Sequence, residues 1–569
     1  MQSVDYFVIV IYLVGIVAAG MVFAGRMKSS SDMFAAGGLS PWWVSGLSGF
    51  MTMFSAGTFV VWGGIAYRYG FVAVAINMCY GVAALFVGWF VAGRWRAMGV
   101  SSAAEFLQLR FGGAVVQFYT WFQGAVNIGS LGGAIYALSM IVAALTPLSD
   151  GHLLADAATG HLSVPLTSII LCLIVIAITF AGGLWAVLMT DVLQFVILVV
   201  SVLFVVPLIL AQVGGWNAFI DQTPEGFTSL VADDFTGWFL TGWIIIHFFK
   251  IGGEWAFVQR FTCVPTSRDA KKAAYIFGAM YLISPLFWMI PPLVYRVINP
   301  DADHEQAYIL ACQAVLPPGM LGLMIAAMAS ATASMATTQL NVFAGAFTTE
   351  VYQRFINRTA ADAQVVRVGR IVTVILGCVV VASSLLIPRY GYTRFILDIT
   401  TLITGPLVLP TIWGLFSRKI GMSAVWTTAI VGFLSALVVK FGFSTHGFLV
   451  DVSFLSSLCD WVADNRRVAD LCAGILVPFF VLIFLEVLSK NQHPGWDRIE
   501  ESARNFHEQP ARESSTLPAV MVAITLGIIA TVMGGLAIFT SSDSKTLAGF
   551  SIILLGIAAG ITWAVKRTH

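Results

Sequence analysis

The chain has 569 residues, of which 58% are hydrophobic and only 10% charged, with a mean hydropathy of +0.88. A water-soluble protein of this size cannot hide that much apolar surface, so a soluble enzyme is excluded and the class is an all-α polytopic membrane protein. The formal net charge of +1 gives no reason to expect a nucleic-acid partner.

The N-terminal segment "MQSVDYFVIVIYLVGIVAAGMVFAGRMK" has no basic start, carries Asp5, and places its positive charges after the apolar run. It reads as a retained first helix rather than a signal peptide. A helix needs about 20 apolar residues to cross the hydrocarbon layer. Runs of that kind lie near 4–24, 42–66, 71–95, 115–146, 164–181, 184–212, 237–259 and 272–297. They continue near 318–353, 367–388, 394–416, 421–441, 468–489, 517–540 and 546–566, giving about fifteen spans. The shortest separations are the "AGG" at 181–183 and the break near Arg389.

Lysine and arginine set the orientation. With the N-terminus outside, 21 basic residues fall on the inner side, Arg260 among them, and 8 on the outer side; Lys250 stays within the membrane, completing the 30 in the chain. The C-terminus is then cytoplasmic, and the expected location is the cell (inner) membrane. The longest soluble piece, at 491–516, is a charged inner loop too short for a kinase or ligand-binding domain. The seven cysteines, Cys79, Cys172, Cys263, Cys312, Cys378, Cys459 and Cys472, show no CxxC spacing and support neither a metal nor a redox role. Cys459 and Cys472 fall near one membrane face and are read as unpaired thiols.

Two spans carry weak points. The seventh, "IIIHFFKIGGEWAFVQR" (Ile244 to Arg260), holds His247, Lys250, Gly252–Gly253 and Glu254 in an apolar setting. The second contains Ser55-Ala56-Gly57-Thr58. A broken helix survives at membrane depth only where protein or a cavity surrounds it. The two spans are five apart, the pattern of an inverted five-helix repeat whose first helices are broken at mid-membrane. This divides the chain into an extra N-terminal span (1–35), a first repeat (36–212), a second repeat (213–420) and C-terminal accessory spans (421–569). Glycines in such helices also serve simply to let neighbours pack closely.

Lys250 and Glu254 are four apart and share a face of an unbroken helix. A charge at the bilayer centre costs at least about 2.5–3.5 kcal/mol, so each needs a partner. Three roles stay open: a structural salt bridge, a substrate anion held by Lys250, and a proton-transfer pair. His247 also fits a satisfied core histidine. Further polar residues inside spans are Asn77, Asn127, Asp191, Tyr281, Ser334, Thr337, Thr338, Gln339, Asn341 and Asp398. The dense hydroxyls of the ninth span bond back to helix carbonyls or act as hard oxygen ligands for an alkali cation.

Several blocks together resemble the sodium/solute symporter family, which includes bacterial sodium/galactose, sodium/proline and sialic acid symporters. They are "PWWVSGLSGFMTMFSAGTF", "VSSAAEFLQLRFG", "TFAGGLWAVLMTDVLQ", "VQRFTCVPTSRDAKKA", "LMIAAMASATASMATTQLNVFAGAFTTEVYQRF" and "GLFSRK", in family order from about residue 4 to 441. The resemblance implies a LeuT-type core, no enzymatic activity, and a sodium gradient that draws solute inward. It places sodium, the coupling ion, between the carbonyls of Met51 and Phe54 and the residues Ala331 and Ser334. Met335 stands where the family has a second hydroxyl, leaving Thr332, Thr337 or Thr338 to compensate, or a titrating group to replace the ion. For the solute the resemblance points to Thr58, Asn77, His247 and Tyr281, puts Lys250 at an inner-gate aromatic position, and brings Asp398 near the pocket. With Glu254 these form the candidate substrate-binding set. The expected function is cation-coupled symport of a small polar organic solute by a monomer in the lipid bilayer. Lys250 favours an organic or amino acid; Asn77, His247 and Tyr281 favour a sugar or polyol. The alternatives are a transporter-like membrane sensor and a proton-coupled transporter.

Overall fold

A computed structural model describes residues 1–24, 38–148, 152–156, 159–181, 184–232, 234–387, 391–443, 447–450, 452–506, 517–539 and 544–567. The described chain is helical throughout, apart from isolated bridges in the loops. The main helices are α1 (Ser3–Ala24), α2 (Trp42–Thr52), α3 (Gly63–Tyr69), α4 (Val72–Phe90), α5 (Ala103–Phe111), α6 (Gly113–Ala144), α7 (Val164–Ala181) and α8 (Leu184–Gln212). They continue as α9 (Gly237–Gly253), α10 (Trp255–Thr262), α11 (Ser267–Ile283), α12 (Met320–Phe347), α13 (Asp362–Leu386), α14 (Tyr392–Phe416) and α15 (Met422–Leu437). The last are α16 (Val477–Leu488), α17 (Pro494–Asn505), α18 (Leu517–Phe539) and α19 (Ser544–Arg567).

Among the described residues, ten helices are long and apolar enough to cross a membrane, and three shorter apolar helices lie at Ser3–Gly15, Val164–Ile176 and Val522–Ile538. Large apolar side chains such as Trp89, Leu173, Ile375, Phe484 and Ile552 are exposed, as lipid-facing residues must be. The expected weak separations at Gly182–Gly183 and Arg389 lie outside the described residues. Cys459 and Cys472 are free thiols.

Asp5 has a structural task at the start of the chain. Its Oδ1 accepts the N–H groups of Gly319 (2.7 Å) and Gly322 (2.9 Å), the orphan donors at the start of α12. Gly322 is required there, because a Cβ would fall 2.4 Å from the Asp5 carbonyl oxygen. α1 is thereby pinned to α12, which is buried along almost its whole length.

Both expected breaks occur. α2 ends at Thr52; Met53, Phe54 and Ser55 leave the helix, and the chain resumes through a wide π-turn at Thr58–Trp62 into α3. In the seventh span the interruption falls at Glu254, whose backbone is extended (φ −69, ψ 135) between α9 and α10. Gly252 and Gly253 are still helical, so their role is close approach rather than unwinding. A Cβ on Gly253 would lie 2.5 Å from Val408 Cγ1 of α14, and one on Gly252 3.0 Å from Ile412 Cδ1. The Gly252 carbonyl accepts from Trp95 Nε1 at 2.7 Å. α9 packs between α4 and α14, α10 lies against α2 and α12, and the two breaks flank the same interior.

Several basic residues that the charge count places in the inner loops are buried, Arg96 and Arg110 among them, and with them Arg260, which lies in the last turn of α10 and is 1% exposed. The phase of the short helix turns it inward, where Asp191 supplies a counter-charge.

Candidate functional site

A cavity of about 180 Å³ opens between the two breaks. The first broken helix contributes Thr52, Ser55, Gly57, Thr58 and Trp62, and the second contributes Trp243, His247, Lys250, Glu254 and Phe257. α6 adds the polar stripe Gln123, Asn127 and Ser130, spaced to fall on one helix face. Met335 and Gln339 come from α12, and Tyr392, Thr400 and Thr404 from α14.

On α9, Trp243, His247 and Lys250 repeat at helical spacing and line one wall. His247 Nδ1 donates to the Trp243 carbonyl at 2.9 Å, and its ring packs on Tyr80 and Trp243 at 4.2 and 4.5 Å between centroids. The ring is a fixed wall residue, tied on one side and open to the cavity on the other. Lys250 and Glu254 do not pair. Among the described residues Lys250 has neither an ion pair nor a hydrogen bond, while Glu254 Oε1 accepts from Gln339 Nε2 at 3.2 Å. Glu254 still closes the last turn of α9, its N–H donating to the Lys250 carbonyl at 2.9 Å, and its carboxylate is held towards α12 by the Gln339 bond.

The other candidate solute residues divide by place. Thr58 lines the cavity, its Oγ1 accepting from Ser55 N–H at 3.3 Å. Asn77 does not: its amide donates to the Ala73 carbonyl at 2.8 Å within α4. Tyr281 stands behind the wall in an aromatic cluster, 4.5 Å from Phe50 and 5.3 Å from Tyr80. Asp398 belongs to a neighbouring cavity of about 420 Å³ lined by Arg68, Asp234, Lys440, Arg466 and Arg467. There it pairs with Lys440 and, at 3.8 Å, with Arg394. It is therefore not a partner for Lys250.

The cation-site candidates are all buried where α2 meets α12. Met51 closes the last turn of α2, its carbonyl accepting from Phe54 N–H at 3.0 Å, and Ala331 and Ser334 lie on α12. The two elements are tied by the Ala56 N–H, which donates to Thr332 Oγ1 at 2.8 Å. Thr332 and Thr337 donate to carbonyls of their own helix at 2.9 and 2.8 Å. Ser334 donates to Asp191 of α8, as does Ser48 of α2. A hydroxyl that donates its proton to a carboxylate keeps its oxygen lone pairs, which are hard ligands for an alkali cation.

Asp191 is the centre of a network that the sequence marked only as a polar position. It lies 3.8 Å from Arg260 Nη2, both side chains almost wholly buried. Arg260 also donates to Thr338 (2.8 Å), Ser48 (3.2 Å) and Gln259 (2.9 Å). α12 thus receives the second broken helix twice, at Gln339 through Glu254 and at Thr338 through Arg260, while its Ser334 reaches α8.

The model of the sodium:solute symporter family matches residues 33–432. The chain belongs to the sodium:solute symporter family. Its members are transporters. A sodium/sialic acid symporter of Aliivibrio fischeri is 26% identical over 77% of this chain and 88% of its own length. A sodium/glucose cotransporter of Vibrio parahaemolyticus is 24% identical over 78% of this chain and 86% of its own. In three dimensions the chain is similar to an outward-open, substrate-bound sodium-coupled sialic acid symporter, with a TM-score of 0.66, 21% identity, and 84% and 98% of the two chains covered. It is also similar to the nucleobase-cation-symport-1 transporter Mhp1 in a closed, bromovinylhydantoin-bound form, with a TM-score of 0.51, 15% identity, and coverage of 82% and 96%. These likenesses establish the all-helical, multi-pass transporter fold.

Sequence reasoning missed Gln123, Ser130, Tyr392, Thr400 and Thr404 as cavity residues. The signal for the α6 pair was present: Gln123, Asn127 and Ser130 repeat at helical spacing on an otherwise apolar span.

Proposed function

We propose that the chain is a sodium-coupled symporter that imports a small polar organic solute by alternating access, with the solute held in the cavity between the two helix breaks. One observation carries this reading: Lys250, a cation at membrane depth with no protein partner among the described residues, lines that cavity together with both breaks. An unpaired charge there is expensive unless a ligand or water answers it. Thr58, His247, Lys250 and Glu254 are its solute-facing residues. Asn77 and Tyr281 support the wall, and Asp398 serves the adjoining cavity.

Sodium binds, in this reading, among the carbonyls of Met51 and Phe54, Ala331 and the Ser334 oxygen, with Asp191 offsetting its charge. The Ala56–Thr332 contact supports it, because a cation at this seam tightens the first break against α12. The same helix carries Gln339 and Thr338, so ordering α12 also orders the second broken helix. Ten long spans, three shorter apolar helices and the two interrupted spans make fifteen crossings of the cell membrane. They are arranged as two five-helix repeats (36–212 and 213–420) with accessory spans on either side (1–35 and 421–569), the N-terminus outside, the C-terminus cytoplasmic, and the monomer as the working unit.

The test is uptake by reconstituted vesicles under an imposed inward sodium gradient. Sodium-driven accumulation that collapses with a sodium ionophore supports the proposal. Accumulation driven by a proton gradient without sodium assigns the coupling to protons. Solute binding with no flux under either gradient assigns the chain to sensing.

A further inference from the structure

The cavity holds an unanswered cation and an incompletely answered acid side by side. Lys250 has no partner among the described residues. Glu254 has one, the Gln339 amide at 3.2 Å on Oε1, and its Oε2 accepts no hydrogen bond from the described residues. The acceptor of that same amide, Gln339 Oε1, is itself buried without a donor. All three side chains line one cavity of about 180 Å³. Four residues along a helix advance about 6 Å, so Lys250 and Glu254 are close along the wall, with the Glu254 carboxylate bonded to Gln339 rather than to the lysine.

From this juxtaposition we infer that the solute is a small zwitterion carrying a carboxylate and a primary or secondary ammonium. Its carboxylate meets Lys250, and its ammonium bridges Glu254 Oε2 and Gln339 Oε1. The inference rests on the reading of this cavity as the solute site. A monocarboxylate answers Lys250 and leaves Glu254 and the Gln339 oxygen short of a donor. A neutral polyol answers neither charge fully. A simple amine leaves Lys250 facing an added positive charge. Only a solute with both groups satisfies the lysine, the acid and the amide oxygen together, and a buried polar group left without its partner is penalised steeply. Gln339 gives the arrangement a further consequence: the ammonium end of the solute is bonded to α12, the helix proposed to carry the cation.

The experiment uses the purified full-length chain in sodium and reads thermal stabilisation and competition with matched probes. L-alanine, β-alanine and γ-aminobutyrate carry both charges at increasing separation. L-lactate lacks the ammonium, L-alaninamide lacks the carboxylate, and myo-inositol lacks both. At least one zwitterion is expected to bind in a sodium-dependent way, with its hydroxy-acid and amide counterparts weaker by about tenfold or more. Glu254→Gln is expected to erase the preference over the hydroxy acid, and Lys250→Met the preference over the amide. Equal binding of a zwitterion and either half-charged counterpart overturns the inference, as does failure of all three zwitterions to stabilise the wild-type chain. Sodium-driven uptake of lactate or myo-inositol in vesicles of the same protein overturns the inference while leaving the transporter reading standing. Absence of flux for a zwitterion that binds overturns the transporter reading and leaves the zwitterion site standing.

Discussion

Asp191 on α8 and Arg260 on α10 face each other at 3.8 Å in the interior of the bundle, with side-chain exposures of 2% and 1%. Each is further bonded to hydroxyls, Asp191 by Ser48 and Ser334 and Arg260 by Ser48 and Thr338. Three packed helices, α2, α8 and α12, therefore meet α10 through one polar knot. Removing one member of a buried pair strands the other at a cost of roughly 3–5 kcal/mol. Arg260→Met should lower the melting temperature sharply, and adding Asp191→Asn should restore part of the loss. Melting of the single and double variants in detergent checks this; a double variant less stable than Arg260→Met would contradict it.

The glycines at the second break make a packing prediction. Gly253→Ala places a Cβ 2.5 Å from Val408 Cγ1 and 2.9 Å from Ile412 Cγ1. Overpacking of this kind costs about 1–3 kcal/mol. Val408→Ala in the same chain removes the nearest atom and should recover most of that stability. If the glycines acted through backbone freedom instead, Val408→Ala would recover nothing.

Much of the fold was legible because a bilayer allows few solutions. Apolar run length marks the spans, and Gly252–Gly253 marks the second interruption to within two residues. The site was legible only where the residues carry charge. Lys250 and Glu254 stand out in an apolar run, whereas Thr400 and Thr404 look like ordinary helix hydroxyls, and the close approach of the Tyr392 hydroxyl to Gly57 joins residues far apart in the chain. Asp398 misled for a physical reason. The resemblance brought it near the pocket, but Lys440, just beyond α15 in the chain, reaches it in the neighbouring cavity. Arg260 misled in the opposite sense, because charge counting along a chain cannot tell a loop arginine from one folded inward against an acid.

The coupling ion gives a sharper test. Ser334 is the one hydroxyl of the proposed cation set, and its proton is committed to Asp191. Ser334→Ala removes an oxygen ligand and a donor to the carboxylate together. The apparent sodium affinity for uptake should fall by on the order of tenfold, the loss of about one good ligand interaction. Ser334→Thr, which keeps the oxygen, should lie between the two. Unchanged sodium dependence in the alanine variant would move the cation away from this seam.

The short polar helix α17 carries a pH dependence. His493 Nδ1 accepts from Gly495 N–H at 3.1 Å and faces Arg110 Nη1 at 3.4 Å, while the His493 backbone N–H donates to the Arg418 carbonyl. Two donors aimed at one nitrogen require the neutral ring. Burial first, then Arg110 and Arg498, hold the imidazole below its usual protonation range. The docked helix therefore binds fewer protons than the undocked one. Docking is fully present above the free histidine value of about 6.5 and weakens as pH falls through that value towards the docked one. Amide protection over 494–505, taken relative to the intrinsic exchange rate at each pH, should fall between pH 7.5 and pH 5.5 in the wild type and stay flat in His493→Gln, which retains an acceptor without titrating.

Lys250 supports a last prediction, on the empty protein. Were Lys250 the neutralising partner of Glu254, Lys250→Met would strand a buried acid and cost several kcal/mol. The structure places no carboxylate of the described residues within ion-pair reach of Lys250, and gives Glu254 a different partner in Gln339. The variant should then melt, without solute, at or above the wild-type temperature, since an unanswered charge at membrane depth has been replaced by an apolar side chain of similar length. The same substitution should abolish the sodium-dependent stabilisation given by carboxylate-bearing solutes. Unchanged empty-protein stability combined with lost solute binding separates a solute-holding lysine from a fold-holding one. A marked drop in the melting temperature of the empty variant would restore the structural salt bridge as the reason for a lysine in this helix.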